Sequence, residues 1–381
     1  MFRKAFALVG LVGLTAAAGT ATALPAAADD DRSRDRPQLR RLIRQLTTQD
    51  GAPGAIADVR DRRGRTVIRS GAGDLRTGAP IPKDGHWRMG SITKPFVATV
   101  VLQLAGEGEI DLDAPVDRYL PGLVSREITV RHLLQHTSGL PDYLGLLSMQ
   151  KIIENPLAHH DRRDLLELAL KEEPLFKPGK GWKYSNTGYL LASMLIEKIT
   201  GQPYDEEIKR RVIKPLRLRH TYVPRDSPFL PSPHPRGYVR PAGSGAGPDK
   251  PQGPDGGLLD VTLLNPSVAV AGGNIVSTAS DVNRFFAALV GGRLLHRAQL
   301  REMMTTYTTE SGREYGLGLE LVPLPCGGEL WGHAGDMIGF TSRSGATSDG
   351  RRATIMANLK PGGTDAQDKH LGEALTTAFC E

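Results

Sequence analysis

Cysteine and aromatic residues are scarce in this sequence of 381 residues. Its two cysteines, Cys326 and Cys380, both lie late in the chain, and none lies near the N-terminus where a lipid could be attached. Aromatic residues make up 6% of the chain and are not interleaved with a basic stripe, so we expect no nucleic-acid partner. The net charge is only +6, which is spread along the sequence. This composition is typical of a soluble globular enzyme.

Long apolar runs are also missing. The most apolar stretch, residues 5–18, is short and rich in glycine and alanine, whereas a membrane-spanning helix needs about 20 apolar residues. Arg3 and Lys4 precede it, and three alanines at 26–28 form a small-residue cleavage site. This pattern predicts a signal peptide over 1–28, followed by a flexible lead-in over 29–36. We expect a secreted monomer without a membrane anchor.

Motifs of several other enzyme classes are absent. His132 and His136 have the spacing of a zinc pair on a helix, but Leu133 stands where a zinc protease needs glutamate, so we interpret both as helix-end histidines. The dipeptide at 179–180 lacks the remainder of a phosphate-binding loop, and no serine lies in a G-x-S-x-G motif. We therefore expect no metal and no cofactor.

One motif that is present organises the chain: Ser-Ile-Thr-Lys at 91–94, which opens an apolar stretch. Pro95 is tolerated in a first helical turn, so the helix should begin near Ser91 and place Lys94 on the same face. A lysine with a lowered pKa in a dry pocket can take the hydroxyl proton and create a nucleophile. The alternative is a plain helix cap, which is how we interpret the second copy at 148–151.

Two further motifs follow in order, Tyr184-Ser185-Asn186 and His333-Ala334-Gly335. The Tyr184 phenol could relay a proton, and the Asn186 amide could orient Lys94 and the substrate. Because alanine and glycine are small, the strand at Ala334 and Gly335 could approach the substrate and offer a backbone N–H to an oxyanion. Taken singly, each residue has a structural explanation: a core tyrosine, an N-cap asparagine and a satisfied strand histidine. Their order and context together favour a catalytic site.

Periodicity predicts the order of the elements. Helices are expected over 37–49, 126–135, 162–170, 188–200, 204–212, 279–289 and 365–379, and strands over 54–59, 65–68, 315–322, 328–332, 339–345 and 352–358. Residues 226–258 are dense in proline, glycine and serine and predict a long surface loop. We expect one α/β unit built from both ends, roughly 37–90 and 290–381, with a helical unit, roughly 91–289, inserted between them.

From about Pro37 onward, the chain resembles a known family. The segments 87–96, 128–140, 177–188, 272–285 and 331–340 are similar to the serine hydrolases of the penicillin-binding protein and class C β-lactamase superfamily, and most of all to exported D-alanyl-D-alanine carboxypeptidases. The resemblance implies an antiparallel sheet flanked by N- and C-terminal helices, with an inserted all-helical subdomain. It also implies a disulfide between the two cysteines. Their even number alone favours a disulfide but leaves two free thiols as the alternative.

The resemblance also implies roles for individual residues. Ser91 would be the acylated nucleophile, Lys94 its proton acceptor and Tyr184 the proton shuttle. Asn186 would contact the substrate, and His333 would occupy a position that is lysine in most β-lactamases. The oxyanion would be bound by the backbone N–H groups of Ser91 and Asp336.

The resemblance implies a small peptide or peptidoglycan-type substrate, with β-lactams as a further class of ligand. The departures from the family concern this substrate. Ala334 and Asp336 replace threonines of the carboxypeptidases, and Glu320 stands nearest to an arginine that holds the substrate carboxylate there. We expect these two acids to repel a terminal carboxylate unless Arg313, Arg343 or Arg351 compensates. A D-aminopeptidase, D-amino-acid amidase or esterase is therefore the alternative to a carboxypeptidase, and a non-catalytic penicillin-binding or wall-peptide-binding protein is the other class.

Overall fold

The computed structural model of the protein describes residues 36–241 and 257–381. The predicted signal peptide, nearly all of the predicted lead-in and the middle of the predicted 226–258 loop lie outside these residues. Within the described ranges, no helix is long and apolar enough to cross a membrane.

The helices and strands follow the predicted order, with two corrections. The strand predicted over 315–322 is two strands, because residues 316–319 are not extended, and the helix predicted over 126–135 begins only at Val130, after its N-cap Thr129. The helices are α1 (Pro37–Thr48), α2 (Thr93–Gly106), α3 (Val130–Gln135), α4 (Tyr143–Leu146), α5 (Met149–Glu154), α6 (Arg162–Leu170), α7 (Asn186–Thr200), α8 (Tyr204–Ile208), α9 (Lys214–Leu216), α10 (Ala279–Val290), α11 (Arg297–Met303) and α12 (Gln367–Cys380). The strands are β1 (Gly54–Asp61), β2 (Gly64–Asp74), β3 (Ala79–Pro80), β4 (Trp87–Arg88), β5 (Tyr238–Val239), β6 (Leu259–Asp260), β7 (Val276–Ser277), β8 (Tyr307–Thr308), β9 (Glu314–Tyr315), β10 (Glu320–Pro323), β11 (Glu329–Met337), β12 (Phe340–Ala346) and β13 (Arg352–Ala357).

Both ends of the chain build one sheet. Within the described residues, nine strands pair antiparallel in the order β3-β2-β1-β13-β12-β11-β10-β9-β8. The N-terminal hairpin therefore joins the C-terminal strands through β1 and β13, where Ala57 pairs with Ile355. The predicted fold class, an antiparallel sheet with flanking helices and an inserted helical part, is confirmed.

The two terminal helices cover one face of the sheet. Leu39, Leu42, Ile43 and Leu46 recur at helical spacing on α1 and are buried, and they join the buried apolar side of α12 in one core cluster. Cys380 at the end of α12 forms the predicted disulfide with Cys326 in the turn between β10 and β11. The disulfide therefore fastens the C-terminal helix to the hairpin that carries β11.

Helix α10 covers the opposite face, against β1, β12 and β13. Phe285 of α10 stacks on Phe96 of α2, with ring centroids 3.6 Å apart. Helix α2 in turn packs on α7 and α8 of the helical part, so it is buried between two layers. The sequence prediction assigned residues up to 289 to the helical part, whereas the apolar side of α10 packs on the sheet.

The predicted 226–258 loop contains a short strand that its composition did not indicate. In its described part, β5 pairs antiparallel with β6, and Tyr238 also bridges to Leu359 at the end of β13. Tyr238 and Val239 are both buried, which explains why an otherwise polar and proline-rich segment is held here.

Candidate active site

Ser91 lies in a short 3-10 turn, Gly90–Ile92, that leads directly into α2. Neighbouring segments hold this turn on both sides. The N–H of Met89 donates to the carbonyl oxygen of Ile275 at 2.9 Å. The Thr93 hydroxyl donates to the carbonyl oxygen of Gly90 at 2.8 Å and accepts from the N–H of Ile275 at 3.0 Å. The sequence preceding α2 therefore fixes the serine backbone before any substrate binds.

Two glycines allow β11 to approach this turn. Gly90 has a φ of 52°, in the left-handed region, and a Cβ there would overlap the backbone of Asp336. A Cβ on Gly335 would overlap the carbonyl oxygen of Met89. This close approach brings the backbone of Asp336 beside Ser91, as the predicted pair of oxyanion donors requires.

Lys94 is fully buried beside Ser91. Its Nζ donates to Asn186 Oδ1 at 2.7 Å and to the carbonyl oxygen of Gly272 at 2.8 Å, and it lies 3.1 Å from Ser91 Oγ. Both acceptors lack a proton to give. A neutral Lys94 therefore uses its two N–H bonds on them and directs its lone pair at the Ser91 hydroxyl, which is the geometry of a general base.

Burial determines the protonation states of Lys94 and Tyr184 before a substrate binds. It lowers the pKa of Lys94 to about 7, although the Asp142 carboxylate acts in the opposite direction. The Tyr184 ring lies 4.6 Å from Lys94 Nζ. Desolvation raises the pKa of Tyr184 well above its usual value, and a hydrogen bond with Ser91 only partly opposes this. At neutral pH, Tyr184 is therefore a neutral phenol that can give a proton, and much of Lys94 is free to accept one.

Asp142 is a site residue that the sequence analysis missed. Its carboxylate accepts from the backbone N–H of Asn186 at 3.0 Å and from Asn186 Nδ2 at 3.1 Å, which turns Asn186 Oδ1 toward Lys94. The same carboxylate caps α4 by accepting from the N–H of Leu144. The signal that could have found it is its position, two residues after the family-like segment 128–140.

His333 lies on β11 with 4% of its surface exposed. Its Nε2 is 2.9 Å from the Tyr315 hydroxyl, and its Nδ1 contacts the carbonyl oxygen of Ala334. Burial lowers the pKa of His333 to about 4, with Glu320 acting against this and Lys94 adding to it. At pH 7, His333 is therefore a neutral imidazole.

The two acids predicted to repel a carboxylate are both paired with cations. Glu320 forms an ion pair with Arg313, and Asp336 lies 3.2 Å from Arg343 and 3.3 Å from Lys360. Desolvation raises the pKa of Asp336, but the two cations outweigh it and hold the pKa below its usual value. The sequence analysis made the repulsion conditional on a compensating arginine, and Arg313 and Arg343 meet that condition. Lys360 is a further cation that the sequence analysis did not name.

Arg343 and Lys360 also form ion pairs with a second acid, which lies on α12. Asp368 accepts from Arg343 Nη2 at 2.8 Å and from Lys360 Nζ at 2.8 Å. We call Asp336, Asp368, Arg343 and Lys360 the ion cluster. Arg351, the third cation considered from the sequence, pairs with Asp349 at 2.9 Å and is not among the residues that line the cleft.

These groups surround one cleft with a volume of about 770 Å³. The predicted site residues meet here, with Lys94 and Gly335 directly behind the lining residues Ser91, Tyr184, Asn186, Glu320, His333, Ala334 and Asp336. Among the described lining residues, four carboxylates (Asp142, Glu320, Asp336 and Asp368) face two guanidinium groups (Arg313 and Arg343). Asp142 has no ion-pair partner in the described part of the chain.

The alternatives set aside in the sequence analysis fall outside this cleft. Ser148 caps α5 by accepting from the backbone N–H of Lys151, and both side chains are exposed. His132 belongs to the N-terminal capping box of α3, and His136 forms its C-cap. Residues 36–241 and 257–381 contain no cluster of three or more histidine, cysteine or acidic side chains arranged to hold a metal ion.

Solved structures with this fold include amide hydrolases. A D-stereospecific amidohydrolase from Streptomyces sp. is 37% identical, with a TM-score of 0.79 over 90% of this chain and 98% of its own. The D-amino acid amidase from Ochrobactrum anthropi SV3, solved with L-phenylalanine amide, is 28% identical, with a TM-score of 0.77 over 90% and 96% of the two chains.

Sequence relatives extend the comparison. Penicillin-binding protein 4* of Bacillus subtilis (strain 168) is 29% identical over 80% of this chain and 67% of its own length. Esterase EstB of Burkholderia gladioli is 38% identical over 44% of this chain, a match that spans about half of the esterase. The sequence profile named Beta-lactamase matches residues 39–378. With the serine, lysine and tyrosine gathered at the cleft, the chain belongs to the beta-lactamase family of serine hydrolases.

Proposed function

We propose that this protein hydrolyses amides or short peptides whose acyl part is a D-amino acid with a free amino group, through an acyl-enzyme on Ser91. The observation that carries the proposal is the charge arrangement of the cleft: Asp142 is a carboxylate without a cation partner in the described residues, whereas Arg313 and Arg343 are both already paired. The preference for a D-amino acid is supported by the two amide hydrolases of similar structure.

The contacts around Ser91 support the following acylation step. Ser91 Oγ attacks the substrate carbonyl carbon while its proton passes to the lone pair of Lys94 Nζ. The negative charge that develops on the carbonyl oxygen is met by the backbone N–H groups of Ser91 and Asp336. As the bond to the leaving nitrogen breaks, the Tyr184 phenol gives that nitrogen its proton and is reprotonated by Lys94. Ammonia or an amine leaves, and the acyl group stays on Ser91.

Deacylation runs the same groups in reverse. Water attacks the ester carbonyl of the acyl-enzyme and gives its proton to the Tyr184 oxygen, while the Tyr184 proton passes to Lys94. The ester bond breaks, Ser91 Oγ recovers a proton, and the carboxylic acid is released. The neutral resting state of both Tyr184 and Lys94, which burial favours, is restored.

The amino group of the substrate is the specificity element in this proposal. Asp142 lines the cleft next to Tyr184 and Asn186, so we propose that it binds the α-ammonium group of the residue whose carbonyl reacts at Ser91. An ammonium ion gains a charge-assisted hydrogen bond at an acid that has no other counter-ion. The leaving side of the cleft holds the ion cluster, where each cation is already shared between Asp336 and Asp368.

A D-alanyl-D-alanine carboxypeptidase is the second candidate. It is favoured by the similarity to penicillin-binding protein 4* and by Arg313, which reaches the cleft over Trp182 with its guanidinium carbon 5.7 Å from the ring centroid. To hold a terminal carboxylate, Arg313 would have to leave Glu320, or Arg343 would have to leave the ion cluster. In either candidate, we propose that the protein acts outside the cytoplasm, as the predicted signal peptide implies.

Hydrolysis of D-alanine p-nitroanilide and its N-acetyl derivative tests the first proposal. We expect the free amine to be cleaved with a kcat/KM about 10- to 100-fold higher than that of the acetylated compound, a difference of about 1.4–2.8 kcal/mol. Ser91→Ala should abolish cleavage, and Ser148→Ala, which alters the second serine-lysine motif, should leave it unchanged. Equal rates for the two compounds would contradict the amine preference.

Intact-mass spectrometry with benzylpenicillin tests the second candidate, because this drug carries a carboxylate. Slow acylation or none, together with rapid cleavage of the D-alanine amide, is expected from the proposal. Rapid and complete Ser91-dependent acylation by the drug, with slow cleavage of the amide, would support a carboxypeptidase instead.

A further inference from the structure

A chain of buried polar groups runs beneath Tyr184. The backbone N–H of Ser185 is 3.2 Å from His136 Nδ1, and His136 Nε2 is 3.1 Å from the Tyr315 hydroxyl. That hydroxyl is 2.9 Å from His333 Nε2, and His333 Nδ1 contacts the carbonyl oxygen of Ala334. His136, Tyr315 and His333 are 1%, 0% and 4% exposed, so these contacts exclude bulk water. We call these three side chains the buried relay.

For two neutral imidazoles, the two ends of the buried relay fix the direction of every hydrogen bond in it. The Ser185 N–H can only donate, so His136 Nδ1 accepts and Nε2 carries the proton. His136 Nε2–H then donates to Tyr315, whose O–H donates to His333 Nε2. His333 therefore carries its proton on Nδ1, which donates to the Ala334 carbonyl oxygen, a group that can only accept. For neutral imidazoles this is the one arrangement of protons that satisfies the whole relay. A second proton on His333 would reverse its bond with Tyr315, whose hydroxyl has the Tyr189 hydroxyl as a further partner.

The surroundings favour this neutral arrangement. Burial and the nearby Lys94 lower the pKa of His136 well below its usual value, with His333 and Arg313 acting in the same direction. Around His333, Lys94 and Arg313 also disfavour a second proton, and Glu320 is the charged group that opposes them. Burial raises the pKa of Tyr315 well above its usual value, so its proton stays on oxygen.

The buried relay joins the two halves of the site. Ser185 lies between Tyr184 and Asn186 at the start of α7, and Ala334 lies between His333 and Gly335 on β11. The His136 ring also packs on Tyr184, with centroids 4.2 Å apart. The relay therefore spans from the helical wall, which carries the proton shuttle, to the strand expected to bind the oxyanion.

We propose that His136 and Tyr315 are positioning residues for the acyl-transfer reaction: they hold His333 as a neutral imidazole in one tautomer and fix the Tyr184 segment at a set distance from β11. The imidazole at the position of the usual lysine is then a structural acceptor that brings no positive charge to the substrate. The tautomer part of this proposal is independent of the proposed function, and only the kinetic part rests on acylation of Ser91.

Nitrogen-15 NMR of histidine-labelled protein tests the tautomers directly. The signals of His136 and His333 are assigned by their loss in His136→Gln and His333→Gln. We expect a neutral ring with protonated Nε2 for His136 and a neutral ring with protonated Nδ1 for His333, both unchanged between about pH 6 and 8, where an ordinary histidine titrates. The opposite tautomer at either ring, or titration of His333 near pH 6.5, would overturn the proposal.

Tyr315→Phe tests the kinetic part, because it removes the central hydroxyl and keeps the ring. Tyr238→Phe is the matched control, since that buried hydroxyl accepts from the N–H of Leu75 at 2.9 Å outside the cleft. Acylation of Ser91 is followed with p-nitrophenyl acetate, an ester without an amino group. We expect Tyr315→Phe to lower the acylation rate about 10- to 100-fold and the control to lower it about 2-fold or less.

The NMR and kinetic results separate the possible outcomes. If Tyr315→Phe and Tyr238→Phe lower the melting temperature equally but only the former slows acylation and changes the His333 signals, the positioning role is supported. If both variants acylate at the same rate, Tyr315 serves packing alone and the proposal is wrong. Failure of the D-alanine amide assay alone would count against the proposed substrate and leave the buried relay intact.

Discussion

The helical wall and the sheet wall of the cleft handle charge in different ways. On the helical wall, Lys94 and Tyr184 are desolvated, and their pKa values are shifted toward the neutral forms, as are those of the buried relay that extends from this wall to β11. On the sheet wall, the ion cluster and the Arg313–Glu320 pair keep their charges and compensate one another. Asp142, at the start of α4 on the helical wall, contacts Asn186 and has no counter-ion in the described residues.

This difference separates the control of chemistry from the control of specificity. A group that must exchange protons at neutral pH needs a pKa near 7, which burial supplies to Lys94. A group that selects among substrates acts through its charge, which is either free to bind a substrate or already neutralised by a partner. The first property is carried by short motifs and a dry environment, and the second by ion pairs between separate structural elements.

Lys94→Met should have the largest effect, because it removes the general base on the helical wall. We expect kcat/KM to fall about 10³- to 10⁴-fold. The wild-type kcat/KM should rise with pH through about 7, where Lys94 loses its proton, and the residual activity of the variant should lack this rise. Lys151→Met, in the exposed second motif, is the matched control and should behave as wild type.

The same variant should be more stable than wild type. The pKa of Lys94 is lower in the folded protein than in the unfolded chain, so its cost to stability is full below pH 7 and declines as the pH rises toward 10.5. We expect Lys94→Met to gain on the order of 1–3 kcal/mol in the free energy of unfolding at pH 6, after the loss of two hydrogen bonds. A destabilised variant would contradict the claim that Lys94 is desolvated at a cost.

Asp142→Asn should have the next largest effect, because it removes a carboxylate that has no counter-ion among the described residues. We expect kcat/KM for a free-amine substrate to fall about 10- to 100-fold and to fall much less for an N-acetylated one. The rise in kcat/KM with pH should also move below 7, since Asp142 raises the pKa of Lys94. Asp161→Asn is the control: Asp161 caps α6 as Asp142 caps α4. Equal losses for both substrates would reduce Asp142 to a support for Asn186.

Asp368→Asn should allow the ion cluster on the sheet wall to bind a substrate carboxylate. It leaves Arg343 and Lys360 with one acid instead of two, so we expect kcat/KM for a peptide with a free C-terminal carboxylate to rise about 10-fold. Asp365→Asn changes the net charge equally, but no ion pair of Asp365 with Arg343 or Lys360 occurs among the described residues. No gain in Asp368→Asn would mean that the ion cluster does not select the leaving group.

Removing the disulfide should have the smallest effect on activity. The Cys326→Ser/Cys380→Ser double variant frees α12 from the β10–β11 turn but leaves both walls intact. We expect the free energy of unfolding to drop by about 2–4 kcal/mol in chemical denaturation, with kcat unchanged at 25 °C. A large loss of kcat would show that α12 and its Asp368 depend on the disulfide for their position.

The sequence predicted the fold and the pairing of Ser91 with Lys94, because both depend on local patterns. Helical spacing located α1, α6 and α12, and the serine-lysine motif found the buried pair at the start of α2. It failed where tertiary contacts decide. The ion pairs of Glu320 and Asp336 depend on contacts between separate elements, so the sequence named Arg313 and Arg343 only as a condition and did not name Lys360. Asp142 was missed altogether, because its contact with Asn186 joins segments that are 44 residues apart.

The most direct test of these two walls is kcat/KM for four dipeptides: D-alanyl-D-alanine and its C-terminal amide, each with a free and with an acetylated amino group. The charges on the two walls predict that the free-amine amide is the best substrate, that acetylation lowers kcat/KM about 10- to 100-fold, and that a terminal carboxylate lowers it further. If the acetylated peptide with a free carboxylate is cleaved fastest, both assignments are wrong and the protein is a carboxypeptidase.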